Sequence, residues 1–84
     1  MKVFNILVSY NIEDSHGNLL TVSELYGVAF DYEKAKHVQS LVMNDFKPSA
    51  ECFYVKKYQV GILTFEDYDD HTNLVATEWE TVTI

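Results

Sequence analysis

The chain contains no arginine, one cysteine, one proline and three glycines, and none of its apolar runs approaches the ~20 residues a membrane-spanning helix needs. Each absence removes a class of function. Arginine is the planar fork that grips phosphate and carboxylate in two-point contacts. Without it, and with six lysines against thirteen carboxylates for a net charge of −7, the chain lacks the basic footprint of a conventional DNA or RNA binder. Direct contact with nucleic acid or membrane is therefore not expected. With Cys52 alone there is no internal disulfide, which fits a reducing compartment: the cytoplasm, or the cytoplasm of a host cell. The opening "MKVFNILVSYNIED" has one lysine, turns polar at Asn11 and shows no small-residue cleavage site, so it reads as a strand rather than a signal peptide. Gly17, Gly27 and Gly61 are isolated, so no glycine-rich phosphate loop exists, and no cofactor is expected.

What is present is the composition of one folded domain, residues 1–84. Hydrophobic residues make up 48% and aromatics 14%, too much for disorder. A chain this short buries roughly 60–65% of its unfolded surface, which allows one thin core. The stretch "KVFNILVSY" alternates Phe4, Ile6, Val8 and Tyr10 with Val3, Asn5, Leu7 and Ser9, the period of a strand. "NIEDSHGN" supplies turn formers, and "LLTVSELYGVAF" is a second strand, so residues 2–30 form a hairpin. The period changes at Asp31, a good N-cap. Ala35, Val38, Leu41, Val42 and Phe46 then recur at helical spacing, with Glu33 in the favourable first turn and Pro48 beyond the end. The helix is placed at about 31–45. "CFYVKKYQVGILTF" is a third strand in which Gly61 marks a bulge or bend. "EDYDDHTN" is a turn. "LVATEWETVTI" is the last strand, with Val75, Thr77, Trp79, Thr81 and Thr83 on one side. The order β-β-α-β-β predicts an α+β two-layer sandwich: a four-stranded antiparallel sheet with one helix on one face.

One helix covers one face of such a sheet. The alternation assigns Leu7, Leu25, Tyr54, Tyr58, Val60 and Val82, with Lys56, Glu78 and Glu80, to the other. That is too apolar for a plainly solvated surface, so the face is expected to bind a partner or a second copy of the chain, giving a homodimer. A one-residue slip would exchange the two faces.

The acidic stretch has three readings. As a calcium loop, Asp67, Asp69 and Glu78 take positions one, three and twelve. However, His71 and Thr72 replace the expected acidic residue and the turn glycine, so no metal is expected. As a solvated hairpin turn, Asp and Asn cap their own backbone. As a recognition surface, Glu66, Asp67, Asp69, Asp70, Glu78 and Glu80 lie within fifteen residues with no lysine among them. Same-face carboxylates such as Glu78 and Glu80 stand ~6.6 Å apart on a strand, a spacing able to imitate nucleic-acid charge toward a basic protein.

A Cys52 dyad with His37 or His71 is the nucleophilic alternative, but Cys52 beside Phe53 reads as a small core hydrophobe. Two layers leave little room for the cleft that acid–base pairs need, so the chain is read as no enzyme. Phe4, Phe30, Phe46, Phe53 and Phe65 are assigned to the core. Tyr54, Tyr58, Tyr68 and Trp79 are the candidate interface anchors.

The stretch "GVAFDYEKAKHVQSLV", a strand ending in Phe followed by Asp and a short amphipathic helix, resembles small single-domain proteins of phages and mobile elements. Some of these bind and inhibit host or defence proteins, anti-CRISPR proteins among them. The resemblance spans sixteen residues of one supersecondary unit and carries no functional residues over. It implies an acidic, cofactor-free inhibitor that binds a basic protein partner. The self-associating assembly subunit is the alternative.

Overall fold

The computed structural model describes residues 1–13, 15–46, 57–68 and 71–83. They form β1 (Lys2–Glu13), β2 (Leu19–Ala29), α1 (Tyr32–Asp45), β3 (Lys57–Tyr68) and β4 (His71–Thr83). The strands make one open antiparallel sheet in the order β2-β1-β3-β4, and α1 lies on one face, an α+β fold. Two hairpins are thus joined side by side through their first strands. The described Cα atoms extend 46 × 25 × 16 Å, the proportions of a two-layer slab.

The helix begins where the local chemistry dictates. Asp31 is extended (φ −138°) and its Oδ1 accepts from the Lys34 amide at 2.8 Å, while its carbonyl accepts the first helical bond from Ala35. Ala35 and Gln39, one turn apart, are buried against the sheet, with Val38, Val42, Met43 and Phe46 half-buried beside them. Gly27 lets the helix come down: a Cβ there would stand 3.2 Å from Val38 Cγ1. Below α1 the core consists of Phe4, Ile6 and Val8 from β1, Tyr58, Val60 and Ile62 from β3, and Ala29. Phe46 closes its end against the rings of Tyr10, Tyr26 and Tyr58, with centroids 4.9 to 5.8 Å away.

Pairing corrects the expected faces of β3 and β4. Ile62 stands opposite Ile6 and Val60 opposite Val8, so the even residues of β3 join the helix-side core. Tyr58, Val60, Val82, Glu78 and Glu80, expected on the open face, therefore lie on the helix side, and Trp79 and Thr77 on the open one. Alternation alone does not say which set faces the helix; cross-strand pairing with β1 does. Leu7 and Leu25 are on the open face as expected. Two register shifts invert the parity within a strand. One makes Tyr26 an extra residue of β2, between the Ile6/Gly27 and Leu7/Leu25 pairs. The other makes Val75 an extra residue of β4, between Ala76 and Leu74.

Further details differ. Gly61 sits in regular register and marks no bulge. Phe30 is 69% exposed, because Ala29 rather than Phe30 points inward where β2 turns into the helix. Phe65 is half-buried on the open face. The strands pair as far as Tyr68 and His71, so Glu66, Asp67, Thr72 and Asn73 belong to the ladder rather than to a turn. Pro48, Cys52, Phe53, Tyr54, Lys56, Asp69 and Asp70 lie outside the described residues.

Candidate protein-binding surfaces

The sheet's open face is built in rows. One row crosses all four strands as Leu25, Leu7, Gly61 and Trp79, each directly opposite the next. On one side lies the row Val28, Asn5, Leu63, Thr77, and beyond it Val3, Phe65, Leu74. On the other side lies Ser23, Ser9, Gln59, Thr81. No residue in these rows is charged. The missing side chain of Gly61 is what seats Trp79: a Cβ there would be 2.5 Å from the indole ring, so the ring lies over the glycine backbone. Trp79 remains 41% exposed, and Leu25, Val28 and Leu74 are about half exposed or more. A shallow depression of about 290 Å³ continues the face between Val3, Asn5, Phe65, Asp67 and Thr72.

The opposite layer carries the charge. Among the described residues, Glu24, Asp31, Glu33, Asp45, Glu66, Glu78 and Glu80 lie on the helix or the helix side of the sheet, with Lys2, Lys34 and Lys36. The open side holds Glu13, Lys57 and Asp67, all near strand ends. The acidic set and the apolar face therefore point in opposite directions, and a single flat partner cannot touch both.

Several of the expected recognition residues have structural ties. Glu78 Oε1 pairs with Lys36 Nζ at 3.0 Å, and its Oε2 accepts from the Tyr32 hydroxyl at 2.7 Å. Lys36 also donates to Gln39 Oε1, whose Nε2 donates to the Val60 carbonyl at 3.0 Å. This chain of polar contacts ties α1 to β3 and to the edge strand β4. The Tyr32 hydroxyl, and then Lys36, hold the Glu78 carboxyl below its ordinary range. The hydrogen bond with Glu78 likewise raises Lys36 and Tyr32. Asp67 Oδ1 accepts from Thr72 at 2.7 Å across the hairpin, and its amide donates to the Met1 carbonyl. Glu66 is half-buried opposite Lys2, and Glu80 is exposed beside Glu78. Tyr58 is no surface anchor: it is 3% exposed and its hydroxyl donates to the Met43 carbonyl at 2.7 Å, satisfying one of the last-turn acceptors of α1.

Sequence reasoning named Trp79 but missed its seat on Gly61 and the row that runs through both. The signal was present as a lone glycine in a strand otherwise rich in large residues, a mark of close approach. Among the described residues no three His, Cys, Asp or Glu side chains gather as a metal site, and no helix is long and apolar enough to cross a membrane. Compared with protein-family models, with curated proteins and with solved structures, the chain finds no match in any of the three.

Proposed function

We propose that the protein is a non-enzymatic protein-binding module that presents an acidic surface to a basic partner, in the manner of an inhibitor of a host or defence protein. The observation that supports this reading is the segregation of charge: seven described carboxylates against three lysines on the helix side, and on the other only Glu13, Lys57 and Asp67, near strand ends. Such a field steers a basic partner toward one side of the molecule and raises its association rate. Glu33, Asp45 and Glu80 are exposed there. Asp45 sits in the last helical turn, which holds no basic residue and where the helix dipole disfavours an acid. An acid kept at a small cost in stability suits a role in recognition. Glu78 contributes to the field but is engaged by Lys36 and Tyr32, so it is less suited to imitating a phosphate than its spacing from Glu80 suggests.

The test is binding to poly-lysine of fixed length, followed by calorimetry at low and at physiological ionic strength (~0.15 M). Glu33→Gln with Glu80→Gln weakens binding most at low salt. Ser15→Lys with Leu19→Lys, an equal change of net charge placed in the β1–β2 turn and at the start of β2, weakens it much less. Equal losses for the two pairs would show that only net charge matters and would remove the reading.

A further inference from the structure

From the uncharged open face we infer that the occupant of that face is a second copy of this chain, packed sheet on sheet. The inference is independent of the proposed function, which concerns the opposite side.

On a chain of net charge −7, any partner drawn by the field is basic. The four rows of the open face contain no carboxylate to receive its lysines, which would be buried unpaired at a heavy penalty. A second copy brings no such charges. Its face has the same Leu, Val, Trp, Ser and Thr side chains, and all but three of the described charges lie on the far side of the slab. Packed sheets stand ~10 Å apart. The outward side chains of the two acidic layers are then at least about 20 Å from each other, roughly two Debye lengths at physiological salt. Self-association through this face therefore escapes most of the like-charge repulsion that any other pairing of two such molecules meets.

Four rows ~6.6 Å apart on four strands ~4.8 Å apart make a patch on the order of 500 Å². Two such patches reach the ~1,000 Å² that a specific interface needs.

A two-fold axis parallel to the strands, between β1 and β3, lays β4 of each copy over β2 of the other. Trp79, raised over Gly61, then meets Leu25 of the second copy, so bulk at one edge faces a smaller side chain at the other.

Light scattering on the purified chain at tens of micromolar is the test. The expected mass is twice 9.7 kDa. Leu25→Lys with Thr77→Lys, both at exposed positions, halves it. Glu33→Lys, the same change of net charge placed on the helix, leaves the dimer intact. A monomeric parent overturns the inference, as does a dimer that survives the lysine pair in the open face. Should that variant fail to fold, Trp79, the only tryptophan, reports on the parent itself. Its emission shifts to the red where dilution or mild urea brings the scattering mass down to 9.7 kDa and bares the face to water, and emission that does not change while the mass halves overturns the inference. Neither outcome bears on poly-lysine binding, so the two proposals fail separately.

Discussion

Replacing Tyr58 by Phe removes one oxygen atom and keeps the ring under the helix. The lost hydroxyl is the donor to the Met43 carbonyl at 2.7 Å. A typical hydrogen bond contributes about 0.5–1.5 kcal/mol net, and a carbonyl left without any partner costs ~1–3 kcal/mol. Met43 is half-buried and the bond only partly so, so the lower range applies and the expected loss is about 1 kcal/mol. In a domain of this size that lowers Tm by roughly 4–8 °C. Tyr58→Ala, which also empties a core site next to Phe46 and Val60, costs about 3–5 kcal/mol, so the Phe variant shows only a fraction of it. Urea unfolding followed by circular dichroism measures both, with an unchanged slope for the Phe variant. Burial also raises the Tyr58 hydroxyl above its ordinary value of 10.0. A raised tyrosine contributes stability that is fully present below about pH 10 and is lost as pH rises through the folded value. The gap between parent and Phe variant therefore narrows above pH 10. Tyr26, raised by burial and then by Glu24, keeps some alkaline sensitivity in both. A Phe variant as stable as the parent, yet altered in solution mass or in poly-lysine binding, would refute the reasoning and return Tyr58 to the surface role its residue type first suggested.

Two other perturbations test separate parts of the structure. Because Glu78 titrates below its ordinary 4.5 in the folded protein, its contribution is present above that pH and is lost as pH falls through the lower folded value. Glu78→Gln should accordingly lower stability slightly near neutral pH, converge with the parent at low pH and so flatten the acid limb below about pH 4.5, and an acid limb identical to the parent's would show that the ties to Tyr32 and Lys36 do not matter. Gly61→Ala should push the Trp79 ring off the strand, destabilise by about 1–3 kcal/mol as overpacking does, and move the single-tryptophan emission. Unchanged fluorescence would mean that the indole does not rest on Gly61.

Much of this was legible in the residues. Asp31 as a cap, the helix through Asp45 and the four strands in their order all depend on contacts a few residues apart, and those contacts are written locally. Which face of β3 looks at the helix was not legible, because Tyr58, Val60, Ile62 and Thr64 alternate with Gln59, Gly61, Leu63 and Phe65 and both sets contain large apolar groups. The extra residues Tyr26 and Val75 gave no local signal either; each reverses the parity of its strand, so faces read from one end are wrong at the other. The candidate surfaces followed the same division. That an apolar uncovered face exists follows from one helix over four strands, but half of its expected members lay under that helix.

The sequence by itself determined the negative charge, the absence of arginine's two-point grip, the element types and the surplus of apolar residues over what one thin core can hide. Those are sums and short-range preferences, and they survive any arrangement of the strands. Only the tertiary structure decided that Glu78 ties a helix to an edge strand, that Tyr58 closes a helix end, that Trp79 rests on Gly61, and that most described carboxylates lie on the side opposite the uncharged rows. Each of these joins residues far apart in the chain, and strand register, which sets what meets what across the sheet, is settled by the cooperative packing of β1 against β3 rather than by either strand alone.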